Sequence, residues 1–599
     1  MAKASDKQRL LSRRAFIFGG VQAVGLTALA ARLYQLQFLK SDEYRTLSEN
    51  NRIRLQLLVP PRGQILDRLG LPLALNETNY QLFCDIAGLS RDAIAHTLER
   101  ARAAINLPSK RITQALDELR ANPYASPLLI AEHLEWEQVA AIELRQLDLP
   151  GLYIAIGQLR YYPYGPMCAH LLGYVGAPSP EEVAAEDDAP LLKLPEYRIG
   201  KAATERMLEE RLRGQAGIRQ MEVNVHGQAM RELAVRPAIP GDSVRLAIHH
   251  ELQEYGANLL AEQSAAAIVL DVRNGDVMAL LSVPGFDPNI FSKGIPADYW
   301  ESLQADNHTP LINKAVQGLY PPGSTFKMMV GLAGLAEGAI SPDTRVSCSG
   351  HYWLGDHKFN CWKEGGHGSM NLVSAIAQSC DTFFYTVARA TGIDAIAAMA
   401  KNFGLGATHF GDFPSEKKGL VPDAGWKQKR YRQRWTTGDT INAGIGQGYV
   451  LATPLQLAVM VARLSTGRAV EPRLLAEGAA PAFPELDVEA EHLQWIQKGM
   501  DAVANTPGGT AYGKRIAEPK YAMAGKTGTS QVRKIITRGV KQESLPWEYR
   551  HHALFVGYAP VASPRYACAV AVEHGGGGAA AAAPVARDLL LKVQQLEEA

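Results

Sequence analysis

One apolar stretch near the N-terminus divides this chain before any other feature does. Lys3, Lys7, Arg9, Arg13 and Arg14 precede a run from Ala15 to about Ala31, and Arg32 and Lys40 follow it. An apolar run with its basic excess on the N-terminal side reads as a membrane anchor whose basic end stays in the cytoplasm. Counted to Phe38 it is just long enough to span. Two other outcomes fit the same residues. Ala28-Leu29-Ala30 fits a small-residue cleavage site, which would make the segment a removable signal peptide, and Ser12-Arg13-Arg14-Ala15-Phe16 looks like a twin-arginine export signal. Each outcome puts the rest of the chain across the membrane. No second comparable apolar run follows. With 599 residues, 47% hydrophobic and 21% charged, the chain is long enough for more than one core. A net charge of +1 argues against a nucleic-acid-binding protein.

Four segments follow from the pattern: a tail at 1–14, an anchor at 15–38, a region at 39–240 and a second at 241–599. The region at 39–240 mixes short strand-like runs with charged helical stretches, such as Arg91 to Arg102 and Thr204 to Arg213, and holds no catalytic constellation. From Gly241 the pattern changes. Ser243 to Ile248, Ala266 to Val272 and Val277 to Val283 read as strands, the last two joined at Asn274-Gly275.

The chemistry lies in three separated motifs. In the first, the turn Tyr320-Pro321-Pro322-Gly323 delivers Ser324 to the start of an apolar helical run, Phe326 to Ala336. Lys327 stands one turn on, on the same helix face, where its amine is expected within hydrogen-bond distance of the Ser324 hydroxyl. That arrangement activates a weak nucleophile. Taken alone, the serine is as readily a helix N-cap. The pattern recurs at Ser415-Glu416-Lys417-Lys418, in a charged stretch with no apolar helix behind it, which reads as solvated surface.

In the second motif, Ser379-Cys380-Asp381 follows a helical stretch from Asn371 to Gln378. Ser369-Met370-Asn371, just upstream, competes for the role but precedes the helix instead of following it. The third, Lys526-Thr527-Gly528-Thr529, follows the strand-like Tyr521 to Gly525. It offers a cation and hydroxyls to a carboxylate, with Gly528 permitting close backbone approach and an added peptide strand. An isolated Lys-Thr-Gly would be an ordinary turn.

In this order the three resemble the penicilloyl-serine transferase set, and the chain is similar to class B penicillin-binding proteins of the elongation type. Further stretches carry the resemblance over nearly the whole chain. Pro61-Arg62-Gly63-Gln64-Ile65-Leu66-Asp67-Arg68 resembles the membrane-proximal motif, with Leu69 where asparagine is usual. Gly446-Gln447-Gly448, Thr453-Pro454-Leu455-Gln456 and Phe555 to Pro560 resemble core segments, and Glu573-His574-Gly575-Gly576-Gly577-Gly578 the C-terminal signature. Read without the family, that last stretch is a flexible Gly/Ala linker before a helix.

The resemblance implies an α/β (α+β) transpeptidase fold, with helices packed on a central antiparallel sheet and an elongated pedestal before it. It implies a peptidoglycan D,D-transpeptidase that cross-links stem peptides during wall elongation through a Ser324 acyl-enzyme trapped by β-lactams. Lys327 is then the proton acceptor, lowered in pKa by burial and by the charge of Lys526. Ser379 and its neighbours protonate the leaving amine. Thr527 and Thr529 hold the substrate carboxylate beside Lys526, and the N–H groups of Ser324 and Thr529 form the oxyanion hole. Asp381 in place of asparagine marks the elongation subtype. No cofactor serves this chemistry. The implied setting is the inner membrane, single-pass, with the catalytic domain in the periplasm beside a SEDS-type glycosyltransferase and other elongation-complex proteins. A division-type transpeptidase, a hydrolytic β-lactamase and a β-lactam-acylated sensor or scaffold share the same motifs.

Three of the six cysteines fall in one window with a histidine: Cys348, Cys361, His367 and Cys380, spaced C-x12-C-x5-H-x12-C. Three thiolates and an imidazole make a structural zinc set, and some elongation-type relatives look similar here. A Cys348–Cys361 disulfide in an oxidising compartment, or unrelated buried thiols, are the alternatives, and His351 and His357 are substitute ligands. Cys84, Cys168 and Cys568 are expected simply to pack.

Overall fold

The N-terminal apolar run forms one helix, α1 (Lys3–Tyr34), whose stretch Phe16–Tyr34 is long and apolar enough to cross a membrane. The structure is a computed structural model describing residues 3–35, 53–86, 89–121, 127–185, 190–224, 229–532 and 541–598. Phe38 and Lys40, which the sequence places at the end of the anchor, lie outside the described residues.

The chain divides into two compact units. The first takes Met1–Pro60, Asn79–Gly157 and Gln215–Ile239; the second takes Pro61–Thr78, Gln158–Gly214 and Pro240–Ala599. In the first, helices Arg91–Ile105, Ser109–Ala121 and Trp136–Glu143 close over strand Leu128–Ala131, burying Leu98, Ile112, Ile130 and Ile142. The Arg91–Ile105 helix starts where the Ser90 hydroxyl accepts from Ala93 N and stops at left-handed Asn106. Strands Ile53–Leu58, Gly217–Val223 and Ala229–Arg236 of the same unit pair antiparallel.

The second unit is built on a five-stranded antiparallel sheet of β1 (Ala265–Asp271), β2 (Val277–Val283), β3 (Ala524–Ser530), β4 (His552–Ala559) and β5 (Tyr566–Val572). Their order is β2-β1-β5-β4-β3. Every residue of β1, β2 and β5 is buried, so helices must cover both faces. Among its helices are α2 (His250–Leu260), α3 (Lys327–Ala336), α4 (Leu372–Ala377), α5 (Asp381–Thr391), α6 (Ala424–Tyr431), α7 (Pro454–Thr466), α8 (Ala490–Asn505) and α9 (Ala582–Leu596). Helices α2 and α9 touch each other and the sheet; α7 and α8 likewise touch each other and the sheet.

Several local expectations change. Of Ser243 to Ile248 only Val244–Arg245 is a strand, because Leu246 and Ala247 pair instead with Leu475 and Leu474. The helix expected at Thr204 to Arg213 breaks at Leu208 into Ala203–Met207 and Glu209–Leu212, and both Glu205 and Glu209 reach Arg62. Glu205 is fully buried between Arg62 and Arg160, each at 2.7 Å; burial raises its pKa, but the two guanidiniums outweigh that and hold it below the usual range. The strand expected at Tyr521 to Gly525 begins only at Ala524 and takes in the Lys-Thr-Gly motif itself. That segment has weak strand propensity of its own and is held by backbone pairing from Ala524↔Tyr558 to Ser530↔His552. The glycine-rich C-terminal stretch is packed, not a loose linker: a Cβ on Gly578 would lie 2.4 Å from Gly528 O.

Candidate active site

Ser324 lies in a single 3-10 turn, Gly323–Phe326, that runs straight into α3. Gly323 has φ +55, and a Cβ there would meet the Thr529 carbonyl oxygen at 2.5 Å, so turn and edge strand touch backbone to backbone. Gly528 faces the turn from the other side, where a Cβ would come within 2.8 Å of Thr325. Its glycine is therefore already required by the protein's own packing. Gln447 Nε2 donates to Thr529 O at 3.1 Å. In a strand the N–H and C=O of one residue point to the same side, so the Thr529 N–H also faces the open edge beside the nucleophile turn.

The second motif is a tight junction between α4 and α5. Ser379 adopts φ +56, a left-handed conformation that costs a residue with a Cβ about 1 kcal/mol or more. Its surroundings hold it there. Lys327 Nζ donates to Ser379 O at 2.9 Å, to Ser379 Oγ at 3.2 Å and to Asp381 Oδ1 at 2.7 Å. Lys526 Nζ donates to the same Ser379 Oγ at 2.9 Å and to Thr527 O at 2.9 Å. One hydroxyl thus bridges two fully buried amines. Thr527 Oγ1 meets Thr510 Oγ1 at 2.8 Å.

Two expectations are corrected here. The sequence predicts a Lys327–Ser324 hydrogen bond, but the Lys327 amine is drawn to Asp381 and Ser379, and Ser324 Oγ has no hydrogen bond among the described residues. The sequence also makes Lys526 the standing cation that perturbs Lys327. In the structure Lys327 carries the carboxylate partner, and burial together with the charge of Lys327 pushes the Lys526 amine well below the ordinary lysine range, against the pull of Asp381. Of the competing serines, Ser369 is exposed on the short strand Gly368–Met370, opposite Ser347, and makes no bond to Lys327. Ser415 is an exposed turn residue.

Trp362 has no motif to mark it. Its backbone N–H donates to Asp381 Oδ2 at 2.8 Å, and its indole N–H to Gln378 O at 3.1 Å and Ser379 O at 3.0 Å. Its neighbour Cys361 belongs to the thiol cluster. Ligand atoms of Cys348, Cys361, His367 and Cys380 all lie within 4.8 Å of one another, and all six cysteines are free thiols. Four ligands about 2.0–2.3 Å from a shared tetrahedral ion fit that spacing. The Cys348–Cys361 disulfide is absent, and His351 and His357 lie outside the cluster. His367 Nδ1 faces both Cys348 and Cys361 sulfurs, at 3.6 and 3.5 Å. A hydrogen bond from the Cys380 thiol, helped by backbone N–H groups, holds the Cys361 thiol below its ordinary range against the opposing effect of burial, the direction a metal-binding sulfur needs.

Two amines sharing a serine hydroxyl, next to a second serine at the head of a helix and an edge strand with no further strand beside it among the described residues, make this a serine acyltransferase of the penicilloyl-accepting class. Residues 265–591 match the penicillin binding protein transpeptidase domain and residues 57–246 the penicillin-binding protein dimerisation domain. The chain belongs to the class B penicillin-binding proteins, on the penicillin-binding protein 2 branch. It is 36% identical to the peptidoglycan D,D-transpeptidase MrdA of Escherichia coli K12 over 564 residues, 92% of this chain and 89% of that one. Penicillin-binding protein 2 of Helicobacter pylori, solved in complex with MreC, superposes with a TM-score of 0.80 at 29% identity, covering 91% of this chain and 99% of that one. A chain from a peptidoglycan synthase complex that coordinates polymerization and crosslinking has a TM-score of 0.68 at 30% identity, covering 96% of this chain and 97% of that one.

Proposed function

We propose that this chain is a peptidoglycan D,D-transpeptidase of wall elongation, and the hydroxyl of Ser379 shared by two buried amines is the observation that carries the reading. A stem peptide docks along the open edge of β3, its terminal carboxylate received by Thr527 and Thr529 beside Lys526. Ser324 attacks the carbonyl of the penultimate D-alanine, and the N–H groups of Ser324 and Thr529 stabilise the oxyanion. As Ser324 loses its proton to Lys327, Lys327 passes one to Ser379 Oγ, and Ser379 passes one to the neutral amine of Lys526. The same path run backwards protonates the departing D-alanine amine. An amine of a second stem peptide then takes the acyl group, and Ser324 regains its proton. β-Lactams enter the first half and stall as a penicilloyl ester.

The test is product analysis on un-cross-linked glycan strands. Peptide dimers formed in step with released D-alanine are expected; acylation by penicillin with no dimers would replace the enzyme by a sensor or scaffold. The proposed setting is a tail at 1–14 in the cytoplasm, an anchor at 15–38, a pedestal at 39–240 and a transpeptidase domain at 241–599 in the periplasm. Its partners are elongation-complex proteins, among them a SEDS-type glycosyltransferase.

The thiol cluster is proposed to hold a structural zinc ion through Cys348, Cys361, His367 and Cys380. With Cys380 between Ser379 and Asp381, and Trp362 bonded to both, the ion would fasten the second motif to the loop that carries Cys361. Cys348→Ser is expected to lose zinc from metal analysis, lower Tm by several degrees and slow acylation roughly tenfold. An unchanged Tm and rate, with no zinc in the wild type, would refute the site.

A further inference from the structure

Between Trp426 and Trp435 the sequence runs Trp-Lys-Gln-Lys-Arg-Tyr-Arg-Gln-Arg-Trp, five basic residues with no acidic one. The chain as a whole is nearly neutral, so the charge here is a local feature. Helix α6 and the loop after it present Lys429, Arg430, Arg432 and Arg434 to solvent, and none of these four side chains has a hydrogen bond or ion pair among the described residues. Exposed like charges repel one another at this density.

The fifth, Lys427, does the opposite. It is buried, pairs with Asp439 and lies 5.9 Å over the Trp435 ring and 5.7 Å over the Tyr449 ring. Trp426, Tyr431 and Tyr449 form a mutual cluster with centroids 5.1–5.7 Å apart, and Tyr431 keeps 48% of its surface exposed. Trp435 is pinned by its indole N–H, which donates to Thr440 Oγ1 at 2.8 Å. Four solvent-facing cations thus share one short segment with a fixed aromatic cluster. Arg432 ends α6 at φ +56, where glycine or asparagine fits best, so an arginine is kept there at a backbone cost.

Position ties this surface to the reaction. Tyr449 follows Gly446-Gln447-Gly448, in which Gly446 O accepts from Gly323 N at 2.8 Å and Gln447 holds Thr529 O. Three residues beyond Tyr449, Ala452 pairs with Tyr320, just before the nucleophile turn. The segment that braces the nucleophile turn therefore also carries Tyr449 of the aromatic cluster.

We infer that α6 and its following loop bind the un-cross-linked glycan strand that carries the stem peptides. Guanidinium forks match the several free carboxylates of each stem peptide, and the aromatic rings offer apolar faces to the sugars. The inference rests on the proposed transpeptidase reading. Small β-lactams need none of this surface, so it acts on the polymer alone.

The test uses the full chain in detergent, comparing wild type with the triple variant Arg430→Gln, Arg432→Asn, Arg434→Gln. Asparagine tolerates the left-handed position, which protects the fold. Three probes are read: un-cross-linked glycan-peptide strands, the same strands stripped of stem peptides by an amidase, and phosphatidylglycerol vesicles. The variant is expected to bind glycan-peptide strands at least about tenfold more weakly, with a flatter salt dependence, while penicillin acylates Ser324 at the wild-type rate. Wild type is expected to lose the same affinity on stripped strands. Undiminished strand binding by the variant overturns the inference, as does a loss confined to the vesicles, which would make the surface a lipid contact. Failure of wild type to be acylated at all would remove the transpeptidase reading, an outcome legible apart from the strand binding.

Discussion

Penicillin treatment is expected to add one penicilloyl group to the wild-type chain, on the peptide holding Ser324, and none to Ser324→Ala. Intact-mass spectrometry followed by peptide mapping reads both. The acylation rate should fall by at least about a thousandfold. No neighbour can substitute, since the turn's other hydroxyl, on Thr325, is buried and donates to Pro322 O at 2.7 Å. Ser324 Oγ makes no hydrogen bond among the described residues and is partly exposed at the head of α3, so the truncation removes a reactive atom without opening a cavity. Melting temperature should stay within about one degree. Ser415→Ala is the matched control: it shares the Ser-x-x-Lys spacing but lies in an exposed turn, and it should label normally. An adduct that persists in Ser324→Ala, or that maps to another serine, ends the assignment.

Motifs with unusual local demands are the legible part of this site. The Pro-Pro-Gly turn announces the entry to Ser324 and the apolar run after it the helix that carries Lys327, whereas Gly528, legible as room for a ligand backbone, also serves the protein's own packing against Thr325. The β1–β2 hairpin is equally plain, because Asn274-Gly275 sits between two apolar runs and both strands are buried. The partner of each charged group is harder to see, since it is set by contacts between residues far apart in sequence. Asp381 is visible as a departure from asparagine, yet nothing local shows that it pairs with the Lys327 amine, which bonds Asp381 and Ser379 instead of Ser324. Trp362 carries no motif at all; its bonds to Asp381 and Ser379 exist only once the cysteine-rich loop folds back over α5. The strand holding Lys526 starts a few residues later than the sequence suggests for a related reason. Its strand character comes from β4 alongside, and a window of alanine, glycine and threonine does not reveal that neighbour.

The lowered Lys526 amine and the proposed relay through it have a pH signature. Burial and the charge of Lys327 hold Lys526 well below its usual range, so its amine is neutral over a window in which an unfolded lysine, with a pKa of about 10.4, is protonated. In that window the unfolded chain binds the extra proton, and the folding contribution of this residue improves as pH rises toward the unfolded value. The proton relay also needs the neutral amine. Acylation by penicillin should therefore be flat at the alkaline end and fall on acidification through the depressed pKa. Lys526→Arg places a permanent cation in the same position, and a guanidinium cannot accept the proton from Ser379. The expected result is a loss of about a hundredfold or more in acylation rate and disappearance of the acid limb, with the penicilloyl adduct, once formed, still on Ser324. Ser379→Ala should show a comparable loss because it breaks the bridge between the amines, whereas Ser369→Ala should stay within about twofold. If Lys526→Arg keeps the wild-type rate and the same acid limb, the titrating group is elsewhere, and Lys327 regains the role of a base working without a relay.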